Sequence, residues 1–274
     1  MSRQPAMTVV SWIVVAALVF LLLIYLLQDR LLYHPVRSSL QDPPVAGLRP
    51  WPSAGDFRGW VAEPADGAAR TAVLFHGNGG HAAERTYYAQ VLGALGFRVI
   101  LAEYPGYGPR AGATGEASLV ADAAETLVRA HRQYGAPLLV IGESLGAGVA
   151  AAAAPRQPAA VAGLLLITPW DRLVHVASHH YPWLPVRWML RDRYDSVAHL
   201  QNLDRPVAIV VAEHDSVVPA RLGRALHAAR AGRPPLIVLE GSDHSDWFDR
   251  VGAGWWQAAT DAALGRVPAL LPGR

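Results

Sequence analysis

Cysteine is absent from all 274 residues. That excludes disulfides, a cysteine nucleophile and thiolate metal sites, and it leaves the redox compartment open. Lysine is absent as well: each of the 24 basic residues is arginine. Beside abundant alanine and 25 glycines, this points to a GC-rich coding sequence and not to nucleic-acid binding. The arginines are scattered and the formal net charge is +2, so no basic face is implied. No internal repeat is found. What the chain has in excess is apolar residues, 52% of the total, with the surplus near the N-terminus.

Met7 to Leu27 carries no charge. As a helix it would be about 31 Å long, enough to cross a bilayer core. Trp12 and Tyr25 stand near its ends, where interfacial aromatics are expected. The stretch ends in bulky residues, Leu21 to Leu27, which run straight into Gln28-Asp29-Arg30. No small-residue cleavage site follows, so an uncleaved anchor over residues 1–30 is expected instead of a signal peptide. Arg3 and the α-amine on one side balance Arg30 and Arg37 on the other, so charge assigns no orientation. The proline-rich stretch 31–55 reads as an extended connector, and 56–274 as one globular domain.

Within that domain, apolar runs alternate with helix-forming segments. Strands are expected at 56–62, 71–75, 98–101, 137–141, 160–167, 206–212 and 235–240. Helices are expected at 82–95, 116–134, 147–154 and 246–264. The alternation predicts an α/β fold with a doubly wound, mostly parallel sheet. Gly142-Glu143-Ser144-Leu145-Gly146 lies between a strand and a helix. A serine on so tight a turn has its hydroxyl exposed over a helix N-terminus, and side chains at the flanking glycines would collide with neighbouring backbone. Such a serine needs a base, and the base an acid. Asp215 follows one predicted strand and His244 the next. His76-Gly77-Asn78-Gly79-Gly80 follows another, a glycine-rich loop suited to presenting backbone N–H groups. The expected oxyanion donors are the N–H groups of Leu145 and Asn78, with Gly79 as the alternative to Asn78.

These motifs, together with Tyr104-Pro105-Gly106-Tyr107-Gly108 and His214-Asp215-Ser216-Val217-Val218-Pro219, resemble the α/β-hydrolase superfamily. They are most similar to its small membrane-anchored members, described as serine aminopeptidase-like or dienelactone-hydrolase-like. The resemblance covers residues 33–265 and departs at Ala147, where relatives often carry a third glycine. It implies an α/β-hydrolase fold and a serine hydrolase with Ser144 as nucleophile, His244 as base and Asp215 as acid. No cofactor and no metal is expected. The substrate class implied is an acyl ester or thioester, with lipid-borne esters favoured by the anchor and by resemblance to depalmitoylating members. A peptidase-like amide hydrolase and a catalytically silent, membrane-tethered binding protein are the alternatives. No nucleic acid and no obligate protein partner is inferred, and the remaining partner is membrane lipid at the N-terminal helix.

Other residues have plainer readings. Residues 169–205, rich in tryptophan, tyrosine and proline, read as a cap insertion whose aromatics would wall the substrate pocket, the alternative being a pair of surface helices whose tryptophans pack on the sheet. His175 and His179 have i, i+4 spacing but lack the acidic base of a zinc-protease helix. His76 reads as structural, and Asp243 as a weaker candidate for the acid because it adjoins His244. Glu143 is expected to make a local hydrogen bond, Tyr104 and Tyr107 to line the pocket or brace their loop, and Asp122 to be solvated.

Overall fold

A computed structural model describes residues 4–40, 47–67, 70–135, 137–201 and 203–266. The chain opens with α1 (Gln4–Leu32), whose stretch Val9–Leu32 is long and apolar enough to cross a membrane. A two-residue strand β1 (His34–Pro35) and an edge strand β2 (Arg49–Trp51) come next. The residues expected as a connector are thus partly built into the domain, and residues 41–46 lie outside the described residues. Trp51 explains the correction. It is buried, and its indole donates to Gln133 Oε1 at 2.8 Å. Pro50 is compatible with strand structure here because β2 is an edge.

The succession continues with β3 (Gly59–Ala62), β4 (Arg70–Phe75), β5 (Gly79–Gly80), α2 (Thr86–Gly93), β6 (Phe97–Ala102), α3 (Glu116–Tyr134), β7 (Leu138–Glu143), α4 (Leu145–Ala153) and β8 (Val161–Ile167). The insertion holds α5 (Leu173–His180), α6 (Val186–Met189) and α7 (Ser196–Leu200). It is followed by β9 (Val207–Ala212), α8 (Ala220–Ala229), β10 (Leu236–Leu239) and α9 (Ala253–Ala263). Three expected elements are shorter than read from sequence. The strand at 56–62 begins at Gly59, because Asp56 N–H donates to Ser53 Oγ in a turn. Residues Ala82–Arg85 and Trp247–Arg250 form 3₁₀ turns, so the helices at 82–95 and 246–264 start later. The helix over 116–134 forms as expected, with Glu116 in its first turn and Gly135 at φ 78° closing it.

Eight strands form one sheet in the order β10-β9-β8-β7-β4-β6-β3-β2. β10 through β6 are mutually parallel, and β3 is antiparallel to β6. The inner strands are apolar on both sides because both are covered. Val73, Val140, Leu166 and Ile209 face the core under α3, α4 and α8. Leu74, Ile141, Leu165 and Val210 face the core under α2 and α9. From β4 the chain winds first to β6 and then back across to β7, so the order reverses at β4. Ligands in open α/β sheets bind at the strand ends beside such a reversal.

Gly163 of β8 lies where α9 crosses the sheet, and a Cβ there would stand 1.9 Å from the Ala263 carbonyl oxygen. Backbone cannot yield as a side-chain tip can. Gly163→Ala is therefore expected to destabilise the domain by about 1–3 kcal/mol, read as a lowered thermal unfolding midpoint. An unchanged midpoint would mean that α9 is free to move off the sheet.

Candidate active site

The turn from β7 into α4 holds Ser144 at φ 53°, ψ −114°, a left-handed conformation for a residue with a Cβ. Such a conformation costs of order 1–3 kcal/mol and persists only where the surroundings impose it. They do so here. Ser144 N–H donates to the Ile167 carbonyl at 2.9 Å, and its own carbonyl accepts from Ala147 N–H at 2.9 Å. A Cβ on Gly142 would stand 2.4 Å from the Gly146 carbonyl oxygen, and one on Gly146 would stand 1.9 Å from that of Phe75. The collisions expected at both flanking glycines are real. Ala147 is buried without strain of this kind.

His244, after β10, brings its ring between the other two residues. Its Nε2 lies 3.1 Å from Ser144 Oγ, and its Nδ1 lies 2.8 Å from Asp215 Oδ2 and 3.0 Å from Oδ1. The Asp215 carboxylate is almost wholly buried and also accepts from Val217 N–H at 2.9 Å and Val218 N–H at 2.6 Å. A carboxylate only accepts, so Nδ1 carries the proton and Nε2 presents a lone pair to the serine hydroxyl. Asp243 lies elsewhere. Its carboxylate accepts from Ser216 N–H and from His244 N–H at 2.8 and 2.6 Å, tying the two loops together. Those bonds, the Ser216 N–H first, hold its carboxyl below the usual carboxylate range.

The glycine-rich loop runs beside the serine: a Cβ on Gly77 would lie 3.7 Å from that of Ser144. Leu145 is the first residue of α4, so its N–H is among the four that no helical carbonyl can take. The Asn78 side chain is tied to three neighbours. Its amide donates to the Leu32 carbonyl at 2.6 Å, and its oxygen accepts from Tyr107 at 3.0 Å and from His34 N–H at 3.2 Å.

Three layers hold this loop. Tyr104 donates to the His76 carbonyl at 2.8 Å, so with Tyr107 it braces the loop; neither tyrosine lines the cleft. Burial pushes both phenols well above their ordinary pKa, so they stay hydrogen-bond donors. His76 is buried, with Nδ1 2.7 Å from the Gly77 carbonyl and Nε2 2.9 Å from Glu103 Oε1. Sequence reasoning missed Glu103, although its one signal was a carboxylate ending an apolar strand. Asp122 is a correction: it is not solvated but accepts from Arg58 at 2.8 Å and from Arg110 at 2.6 and 2.7 Å. Arg110 in turn donates to the Glu103 carbonyl at 2.6 Å, so the pair stiffens the Tyr104–Gly108 turn.

Ser144 and His244 open into a cleft of about 500 Å³, within the usual size of small-molecule sites. Tyr87, Trp247, Phe248 and Val217 form its apolar wall, and His34, Asn78, Glu84, Arg85 and Glu143 its polar one. Glu143 makes the local bonds expected of it, accepting from Tyr88 at 2.8 Å with Arg85 Nε at 3.5 Å. The expected aromatic wall from the insertion is not observed, since none of its described residues lines the cleft. Trp170 and Tyr194 are buried against α4, whereas Tyr181, Trp183 and Trp188 point outward. The insertion reaches only the rim, where His180 Nε2 donates to the Val217 carbonyl at 2.8 Å. His175 Nδ1 lies 2.6 Å from Asp171 Oδ2 and His179 faces Arg221, so the i, i+4 pair is engaged by different partners.

The chain is similar to several known proteins. The family model described as serine aminopeptidase, S33, matches residues 67–191. An uncharacterised protein of Mycobacterium tuberculosis is 33% identical over 261 residues, covering 90% of each chain. The lysophosphatidylserine lipase ABHD12 of Danio rerio is 28% identical over 187 residues, 61% of this chain and 49% of that protein. The chain thus spans about half that relative's length. Among solved structures, an esterase from Pyrococcus furiosus superposes with a TM-score of 0.60 at 15% identity, over 84% of this chain and 96% of the other. A monoacylglycerol lipase from Paleococcus ferrophilus does so with a TM-score of 0.57 at 18% identity, over 77% and 100%. At these identities the structures speak to fold alone. With its parallel sheet, its serine at the strand–helix turn and these relatives, the chain belongs to the α/β-hydrolase superfamily.

Proposed function

We propose that this hydrolase is a membrane-anchored serine hydrolase that cleaves acyl esters or thioesters through an acyl-enzyme. The observation that carries the reading is the unbroken hydrogen-bond chain Asp215–His244–Ser144 at the floor of the cleft. His244 Nε2 takes the hydroxyl proton as Ser144 Oγ bonds to the acyl carbon. The N–H groups of Leu145 and Asn78 stabilise the oxyanion. Collapse breaks the bond to the leaving alcohol or thiol, which takes the proton from the imidazolium while Asp215 stabilises that charge. Water then gives a proton to His244 and attacks the acyl carbon, and Ser144 leaves with the proton returned. The apolar wall of Tyr87, Trp247 and Phe248 suits an acyl chain. An ester is favoured over a peptide amine, because of the two carboxylates lining the cleft Glu143 is taken by Tyr88 and Arg85 and Glu84 by His81 and Arg85. The lipase names of two relatives and the apolar helix support a lipid-borne ester. The proposed organisation is an anchor ending near residue 32, a tethering segment through residue 55 that β1 and β2 join to the domain, and the catalytic domain with its insertion.

Ser144→Ala is expected to lower turnover of p-nitrophenyl acyl esters by on the order of 10⁴ to 10⁶, with the circular dichroism unchanged. A variant retaining more than a few per cent of activity would remove Ser144 from the mechanism. The two aspartates separate cleanly. In Asp215→Asn the amide favours the wrong tautomer of His244, and turnover should fall about 10⁴-fold. Asp243→Asn keeps an acceptor oxygen for Ser216 and His244, so its turnover should stay within a few-fold of wild type. A larger loss from the second change would reassign the acid.

The full-length protein should remain in the membrane pellet through carbonate and high-salt washes, since apolar insertion is not screened by ions. Its intact mass should include Met7–Leu27. A mature N-terminus just after residue 27 would make the segment a signal peptide and leave the catalytic reading standing.

A further inference from the structure

The insertion packs along α1 instead of closing over the cleft. Phe20 of α1 stacks on Trp183, with ring centroids 6.2 Å apart and planes 23° apart. Towards the end of the helix, Gln28 donates to the Met189 carbonyl at 3.3 Å and accepts from Arg191 N–H at 2.8 Å. Asp29 pairs with the Arg191 guanidinium at 2.6 Å, and Tyr33 donates to Asp192 at 2.5 Å. Leu21, Ile24, Gln28 and Leu32 are covered positions, one stripe at helical spacing with Asp29 beside it, while residues 9–20 and Leu22, Leu23, Leu26 and Leu27 are exposed. The last third of α1 and the insertion are therefore one packed unit.

The tip of that unit is unusual for a soluble surface. Tyr181, Trp183 and Trp188 are 50%, 64% and 73% exposed. Tyr181 and Trp183 meet edge to face and Trp188 follows within a few residues, and large exposed aromatics so grouped mark a contact surface. Their level relative to α1 identifies the contact. Phe20 lies nine residues before Asp29, about 14 Å along a helix and close to the depth of one leaflet, half of a ~30 Å core. A ring stacked on Phe20 shares its depth. The Arg191–Asp29 pair, with exposed Arg193 beside it, lies at the helix end, where headgroups begin. Arg187, also exposed, holds its guanidinium over the Trp188 ring, 4.7 Å from the centroid, and its flexible stem lets that charge turn towards the headgroups.

We propose that the tip of the insertion, residues 181–188, is embedded in the same leaflet as α1, so that the bilayer is the docking partner of the catalytic domain. The proposal rests on the reading of α1 as an anchor. It deepens the substrate class as well. His34, on the cleft's polar wall, follows the helix end by two residues, and the Val217 carbonyl on the rim is held by His180 next to Tyr181. The entrance then stands at headgroup level, and an acyl ester resident in that leaflet reaches Ser144 without crossing bulk water.

The absence of cysteine makes single-site labelling free of background. The full chain is reconstituted in vesicles of phosphatidylcholine and phosphatidylglycerol, with a spin label on Trp183→Cys, Trp188→Cys, Leu22→Cys or Gln257→Cys, the last on the exposed face of α9. Thermal melts report that each variant is folded. The labels at 183 and 188 are expected to be relaxed by oxygen and shielded from a water-soluble nickel chelate, as at Leu22 and unlike 257. Nickel access at 183 and 188 equal to that at 257, with Leu22 shielded, overturns the embedded tip and leaves the anchor standing. Nickel access at Leu22 removes the anchor and this proposal together. Shielding of 183 and 188 from both reagents means that protein, such as a second copy of the chain, covers the patch, and overturns the proposal too.

Discussion

The contact between Gly146 and the β4 backbone sets the geometry of the site. With a Cβ there only 1.9 Å from the Phe75 carbonyl oxygen, α4 lies as near to β4 as a glycine allows. Gly142 brings the same helix equally close to β7. A chain leaving β7 has no room for a relaxed turn, and Ser144 is forced to φ 53°. The strain presents the hydroxyl to the cleft and sets the Leu145 N–H, at the first position of α4 and with no helical carbonyl to take it, beside it. The same closeness brings the β4 loop, with Gly77 and Asn78, alongside the serine. The proposed oxyanion donors and the proposed nucleophile are thus related through backbone contacts, which shift far less than side-chain contacts do.

The glycine-rich loop would be soft by itself, and the surrounding residues stiffen it from three directions. Tyr104 and Tyr107 hold it from the β6 side, with burial keeping both phenols protonated. His76 and Glu103 hold it from beneath. From above, β1 pairs in parallel with β5, and Asn78 bonds to Leu32 and His34. The last of these links the site to the end of α1. Whatever fixes the position of that helix also bears on the loop beside Ser144, and the same helix end carries the insertion through Gln28 and Asp29.

Much of this was legible in the chain, for identifiable reasons. Ser144, Asp215 and His244 each follow a continuous apolar run, and the parallel sheet gathers the ends of such runs on one edge. The two flanking glycines were legible because only steric need puts glycine at those offsets. Less legible was β2, where two prolines and a short run hide an edge strand that Trp51 anchors. Asp122 looked solvated because nothing near it in sequence is basic, while its partners Arg58 and Arg110 come from other elements. The insertion's tryptophans misled for a related reason. Composition counts them, but the side each takes depends on contacts with α4 and α1 that leave no periodic trace. The cleft's aromatic wall came instead from Tyr87, Trp247 and Phe248, which sit in or beside short turns.

The central claim is that Ser144 is a nucleophile activated by His244. The most direct test is mass-spectrometric mapping of the covalent adduct that a fluorophosphonate leaves on the full-length protein. The account predicts a single phosphonylated residue, Ser144, in the wild-type chain, and a greatly slowed adduct at that position in His244→Ala. An adduct on Ser216, Ser242 or Ser245 instead, or equal labelling of Ser144 without His244, would contradict it.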